Sequence, residues 1–292
     1  MTRPVRFGLS THLFHTVRLE RDHLARMADA GFPIVEVFAT QTHVDYHDTR
    51  RIETVRGWLD ALGMRAWSVH LPITDGIREG VWGRAISTAS NDASRGAEAL
   101  REIAAAVAAA GDLGARVAVL HLGVPSDLSV PSDDNDDVAV RRILEPIAAA
   151  CERAGVQLAL EVIPNDLSTA AAVVDWLRTD LELGRTGACL DVGHAHMTSG
   201  VLDAIEVLGG DIITTHIHDN RGTTDDHLLP FEGTIDWTSA LFALAKVGYD
   251  GPLVFELPDH GDPVRTLTAA TRAQNRIQAI LDDLAAPFQF EE

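Results

Sequence analysis

The chain has a single lysine, Lys246, and only two cysteines and two tyrosines in 292 residues. Arginine therefore carries nearly all the positive charge, and there is little of it: 24 basic side chains against 43 acidic ones, a formal net charge of −19. Binding to nucleic acid depends on Lys and Arg neutralising phosphates, and no basic patch stands out, so a nucleic-acid partner is not expected. Cys151 and Cys189 lack the paired spacing of a zinc knuckle or redox motif, which leaves two reduced, packed thiols. Long apolar runs are missing too. The longest low-complexity stretch, AEALREIAAAVAAAG at 97–111, carries charges and reads as packed helix, so no membrane partner is expected. The amino terminus, MTRPVRFGLS, lacks the shape of a signal peptide, which makes a cytoplasmic chain the expectation. After the first strand stands GLSTHLF, where a phosphate-cradling GxGxxG would have to be.

What the chain does have is a repeated unit. Short β-rich runs at 5–10, 34–38, 65–70, 117–121, 157–162, 187–191, 212–216 and 253–256 alternate with amphipathic stretches such as 20–30, 49–62, 95–113, 138–154 and 167–181. The helical stretches end in Ala/Leu/Val-Gly stops: Ala30-Gly31, Leu62-Gly63, Leu113-Gly114, Ala154-Gly155, Leu183-Gly184, Val247-Gly248. Eight strand–helix units with right-handed crossovers close most simply into a single α/β (β/α)8 TIM barrel, with a doubly wound open sheet as the alternative. One domain over 1–292 is expected, the barrel spanning about 5–284 with a short tail at 285–292. Two longer connections break the rhythm. Residues 72–94 suit a flap over the barrel mouth, and the acidic segment 126–137 suits a solvated loop that caps the next helix.

The polar residues fall at the carboxyl ends of the strands, where barrels build their sites. His70 closes AWSVH, His121 closes VAVLH, Glu161 closes LALE, Asp191 closes ACLD, His216 closes IITTH and Glu256 closes LVFE. A lone histidine at a strand end is ordinarily a hydrogen-bonded structural residue; six such residues on successive strands are hard to attribute to chance. Buried carboxylates that converge repel one another unless a cation lies between them, so a divalent metal is expected. Carboxylate and imidazole ligands suit Mn, Zn, Fe, Co or Mg more than copper. The stretch IITTHIHDNRGTTDDH at 212–227 concentrates this chemistry, and His218 is an alternative to His216 if the strand continues.

On the segments SVHLP, LGARVAVLHLG, LALEVIPN, LDVGH, HIHDNRGTTDDHLLPFEGTIDW and GYDGPLVFEL, the chain resembles the xylose isomerase-like barrels. That superfamily holds sugar and sugar-phosphate isomerases and epimerases together with abasic-site endonucleases. The resemblance covers roughly residues 5–260. It implies a catalytic cation held by Glu161, Asp191, His216 and Glu256, with Glu161 and Glu256 also transferring protons on opposite faces of the substrate. It implies additional metal or substrate-binding positions at His70, His121, His194, Asp225 and His227, so that one cation is expected and up to three can be accommodated.

The activity this implies is a Mn-, Zn-, Co- or Mg-dependent isomerase or epimerase acting on a small polyhydroxy carbonyl carbohydrate through an enediolate, and the lack of an Arg and Lys cluster at one strand end speaks against a phosphorylated one. The alternatives are a zinc-dependent phosphodiesterase, or a lyase or dehydratase on a keto-sugar or inositol-like substrate. A homo-oligomer is compatible with the sequence. One departure from the family pattern is Phe231, where relatives often carry glycine before the Glu-Gly pair. Packing of Phe231 against the flap is the expectation.

Overall fold

The computed structural model describes residues 6–126, 134–179, 181–259 and 261–285. Eight strands pair in parallel, each with its neighbours in sequence: β1 (Phe7–Ser10), β2 (Ile34–Phe38), β3 (Arg65–His70), β4 (Val117–Leu120), β5 (Gln157–Glu161), β6 (Gly187–Asp191), β7 (Ile212–Ile217) and β8 (Leu253–Phe255). Phe7 pairs with Leu253, joining the first strand to the last and closing the barrel. That pairing excludes the open sheet. The strands are nearly continuous buried runs, as expected for a parallel sheet covered on both sides. β2, β3 and β6 have the expected bounds, while β1 begins at Phe7, with Val5 outside the described residues.

The helices that wrap the barrel are α1 (Arg21–Asp29), α2 (Thr49–Ala61), α3 (Ala93–Leu113), α4 (Asp137–Ala154), α5 (Ala170–Leu177), α6 (Val192–Met197), α7 (Val201–Leu208), α8 (Trp237–Lys246) and α9 (Pro263–Ala285). Part of the acidic surplus serves as helix caps. Asp48, Asp92, Asp136 and Asp236 each accept backbone N–H groups at the starts of α2, α3, α4 and α8, satisfying donors that a first turn leaves unpaired. Gly114 and Gly155 end α3 and α4 at φ of 72° and 71°, a left-handed geometry that a side chain would strain.

Two expectations need adjusting. The fifth helix is shorter than 167–181 because Thr169 caps it at residue 170. In the acidic segment 126–137, Asp136 caps α4 as expected, but Asp134 is buried and paired with Arg95 at 2.7 Å instead of solvated. Residues 127–133 of that segment, and 286–292 of the expected tail, lie outside the described residues. Among the described residues no helix is long and apolar enough to cross a membrane.

Candidate metal centre and active site

The carboxyl ends of the strands deliver the expected residues to one place. His70, Glu161 and Asp191 close β3, β5 and β6, and His216 lies one residue before the end of β7. His121 and Glu256 directly follow β4 and β8. Two irregularities in the ladder set the alignment. Between β6 and β7 the register slips past Ile213, so that Asp191 stands beside His216. Between β2 and β3 it slips past Trp67, placing Glu36 beside Ser68. Bulges of this kind re-aim side chains next to sites.

Glu161, Asp191, His216 and Glu256 are all buried, and each offers a ligand atom within 4.8 Å of the others. His216 Nδ1 lies 2.9 Å from Glu161 Oε1, 3.5 Å from Glu256 Oε2 and 3.8 Å from Asp191 Oδ2. His70 Nε2 and His121 Nε2 approach the second Glu161 oxygen at 3.2 and 3.0 Å, but neither N–H is aligned on it. That buried oxygen therefore has two close imidazoles and no aligned hydrogen bond. Cys189, buried as expected, also lies in reach of Glu161 and His216.

A second group sits beside the first. Asp225 Oδ2 is 3.1 Å from His194 Nε2 and 3.0 Å from His227 Nε2, and His218 Nε2 is 3.0 Å from Asp191 Oδ1. His194, His218, Asp225 and His227 form a further ligand-competent cluster. Asp191 links the two groups, because its Oδ1 also accepts the His194 backbone N–H at 2.7 Å, capping α6. His218 thus belongs on the far side of Asp191, and His216 is the imidazole of the central four. The glycine in LDVGH has a packing reason: a Cβ on Gly193 would sit 2.0 Å from the His218 ring.

Glu36 went unremarked among the sequence features. Its one signal is an acid in the middle of the apolar run IVEVF. It is fully buried, and its Oε2 accepts from Ser68 Oγ at 2.7 Å and lies 2.9 Å from His216 Nε2. Donation of the Nε2 proton to Glu36 turns Nδ1 towards the three other carboxylates, and a neutral ring held this way would offer Nδ1 to a cation, as an outer carboxylate orients a metal-binding imidazole.

The electrostatics are those of buried charges that balance one another. Burial alone would raise the Glu161 carboxyl, yet His216 and His121 hold it well below the usual carboxylate range. Burial also pushes His194 down, but Asp191 and Asp225 lift it to about 10. His227 is likewise lifted to about 9 by Asp225, and His70 to about 9 by Glu161. These imidazoles hold protons beside the carboxylates where a cation would supply positive charge, so a cation bound there would weaken their hold on those protons. His121 goes the other way, lowered by burial despite Glu161.

Above the clusters lies a cavity of about 670 Å³, lined by His70, His121 and Glu256 from the strand ends and by His194, Asp225 and His227 from the segments that follow β6 and β7. Ile73, Thr74, Trp82, Gly83 and Ala85 of the expected flap also line it. Glu161, Asp191 and His216 lie one layer deeper. The opposite end of the barrel has a smaller cavity of about 350 Å³ around Trp67, with no histidine in its wall.

The loop that carries Asp225 and His227 is built on Asp219, a buried residue. Its carboxylate accepts from the backbone N–H groups of Asn220, Phe231 and Ile235 and from Trp237 Nε1 at 2.8–3.2 Å. Phe231 does not pack on the flap. Its ring faces Trp237 at 5.9 Å and lies under the Arg276 guanidinium at 3.9 Å. Its φ of 77° explains why glycine suits this position: the turn is left-handed, and here a phenylalanine adopts it.

The donor set fits a divalent cation. Three buried carboxylates and an imidazole converge, one carboxylate oxygen has no hydrogen bond, and the sulfur in reach, Cys189, is kept a thiol by burial. Fold and site together define a closed parallel barrel with a metal-competent carboxylate–histidine cluster at the carboxyl ends of its strands. The family model described as xylose isomerase-like TIM barrel matches residues 24–281, and the chain belongs to that family.

Two relatives carry no described activity. The chain is 36% identical to the protein y4fM of Sinorhizobium fredii over 155 residues, covering 50% of this chain and about half (48%) of that protein. It is 26% identical to MJ1311 of Methanocaldococcus jannaschii over 272 residues, covering 90% and 87% of the two chains.

Among solved structures the chain resembles a D-tagatose 3-epimerase-like protein (TM-score 0.78, 23% identity, 96% of this chain and 100% of that one). It also resembles the 3-keto-D-glucoside 4-epimerase YcjR from E. coli (0.72, 17%, 94% and 99%). The IOLI protein with a bound zinc atom is a third (0.71, 17%, 95% and 98%). At these identities the three establish a shared fold.

Proposed function

We propose that this chain is a divalent-metal-dependent sugar isomerase or epimerase, using Mn, Zn, Co or Mg, and that Glu161 and Glu256 transfer the proton. One observation carries the reading: two carboxylates from strands on different sides of the barrel, β5 and β8, converge on one imidazole atom, His216 Nδ1, beneath a cavity of substrate size. The epimerases among the structural neighbours support the class, and the zinc atom in the IOLI protein supports metal binding.

Glu161, Asp191, His216 and Glu256 would hold the cation. When bound, it supplies Lewis-acid polarisation of a substrate carbonyl and balances the negative charge that develops on oxygen. The chain does the rest. One glutamate removes the proton from the carbon next to the carbonyl, and the C–H electron pair becomes the C=C bond of an enediolate. The other glutamate returns a proton to the opposite face or to the neighbouring carbon, so that no oxidant or reductant is needed. His70 and His194, which line the cavity, donate hydrogen bonds to substrate oxygens as charge moves. The fold and family also suit a lyase or dehydratase, which begins from the same proton removal.

The second reading, a zinc phosphodiesterase, draws on the extra clusters: His70 and His121 share Glu161, and His194, His218, Asp225 and His227 gather beside Asp191. Against it, the described residues lining the cavity include neither arginine nor lysine to meet a phosphate. The deciding experiment is incorporation of solvent deuterium into ketose substrates by the metal-loaded chain. The expected result is exchange that is abolished in Glu161→Gln and Glu256→Gln. Near wild-type exchange in Glu161→Gln with a full complement of metal would contradict the reading.

A further inference from the structure

Four arginines that are scattered along the sequence come together at the amino ends of the strands, on the far side of the barrel from the carboxylate cluster. Arg65 opens β3, Arg116 directly precedes β4, Arg6 directly precedes β1 and Arg56 lies on α2. All four line the cavity of about 350 Å³ around Trp67. Asp60 is the one acidic residue in its wall, and Ile34, Leu59, Met64 and Leu113 add apolar surface.

Acidic side chains outnumber basic ones 43 to 24 in this chain, so an arginine has many carboxylates to choose from. Arg18, Arg51, Arg78, Arg84, Arg95 and Arg178 each lie 4.0 Å or less from one. Among the described residues, no carboxylate comes that close to the four arginines of the cavity. Arg6 Nη2 donates to the Asp250 carbonyl at 2.9 Å and Arg56 Nη1 to the Asp112 carbonyl at 3.2 Å. A guanidinium has five N–H donors, so a single bond to a neutral carbonyl leaves most of the fork open.

An aromatic ring holds two of the four in place. Arg6 and Arg116 stand over the Trp67 ring, with guanidinium carbons 5.3 and 5.9 Å from its centroid. The indole is itself fixed: Nε1 donates to Thr214 Oγ1 at 3.1 Å, and the ring packs against the buried cluster of Val117, Val119, Ala159 and Cys189. Positive charge is thus gathered on a braced frame, and its mutual repulsion is offset within the wall by Asp60 alone.

An anion with several oxygens would relieve that repulsion. Guanidinium forks meet carboxylate and phosphate in the same bidentate way, but four arginines around one cavity outnumber the oxygens of a single carboxylate. A phosphate group has three strong acceptor oxygens and close to two charges. The cavity volume lies at the lower end for small-molecule sites, with room for a phosphate and a short organic body.

We propose that this cavity is a second binding site, for a phosphate dianion, free or carried on a small organic molecule. Arg65 and Arg116 bind the anion directly, and Trp67 positions Arg116 and Arg6. The site is independent of the metal and of the proton transfer at the other end of the barrel.

The test is calorimetry on the purified chain with inorganic phosphate, glycerol 3-phosphate and glycerol, at one ionic strength set with chloride. One phosphate or one glycerol 3-phosphate should bind per chain, and glycerol should not. Tighter binding of the ester assigns the site to a phosphorylated small molecule; equal or tighter binding of inorganic phosphate assigns it to the free ion. Arg65→Gln and Arg116→Gln should each raise Kd about tenfold. Asp60→Asn, at an exposed position, removes the acid of the wall and should lower Kd about twofold or more, a gain that a misfolded variant could not show. Phosphate that binds with the same Kd in both arginine variants would lie among the raised imidazoles of the larger cavity and overturns the proposal, as does the absence of any binding.

Discussion

Glu36 is a residue that can matter to the site without belonging to the central cluster. With Glu36 holding the Nε2 proton of His216, Nδ1 is the free atom, and the neutral amide of Glu36→Gln weakens that hold without changing shape. Metal affinity should fall about tenfold or more, as for other outer-shell partners, with the fold intact; competition with a chelating dye on the metal-free variant measures it. Affinity equal to wild type would remove Glu36 from the account. The residues of the central cluster were legible from the sequence because each ends a strand pattern with a polar residue. Glu36 was not, since its meaning depends on a register slip between β2 and β3 that no one-dimensional pattern records. Trp82 was hidden in the same way: the flap was visible as a long connection, but not the hairpin that aims its indole at the cavity.

At the scale of elements, the loop between β7 and α8 places Asp225 and His227, and two buried contacts hold it in shape. Asp219→Ala removes four hydrogen-bond acceptor contacts at once, leaves donors buried, and should destabilise the fold by about 3 kcal/mol or more in denaturant unfolding. Gly193→Ala pushes a methyl into the His218 ring and should cost about 1–3 kcal/mol as overpacking while disturbing the cluster on Asp191. Unfolding free energies within 0.5 kcal/mol of wild type, the range of a neutral surface change, would contradict both. The strand bounds were readable because β-rich runs and glycine stops repeat. Asp219 offered no such signal, being one more acid in an acid-rich stretch until its four donors are seen to come from residues 220–237. Phe231 was misplaced for a related reason: the sequence shows an apolar residue where relatives have glycine, and only the φ of 77° shows that the backbone turn, not the cavity, set that position.

For the molecule as a whole, the charges gathered at the site should make stability depend on pH and on added metal. His70, His194 and His227 are raised to about 9, about 10 and about 9 from the unfolded value of 6.5. Their contribution in the metal-free chain is complete below 6.5 and is lost as pH rises through 9 to 10. Glu161, Asp191 and Asp225 are lowered, so theirs is present above roughly pH 4 and is lost on acidification. The metal-free chain should therefore be most heat-stable near about pH 5 to 6.5 and weaken steadily towards pH 10. A cation bound among the carboxylates would supply the positive charge that those protons give at lower pH, so the gain in Tm on adding metal should grow over the same range. A metal-free Tm that stays flat from pH 6.5 to 10 would show that the imidazoles do not balance the carboxylates.

The most direct test of the central claim is elemental analysis of the chain as purified, beside Asp191→Asn and Glu161→Gln variants. A central carboxylate cluster that holds a cation predicts at least one Mn, Zn, Co or Mg ion per chain, retained through dialysis and lost in both variants. A folded wild-type chain that takes up no divalent ion, or variants that keep theirs in full, would contradict it.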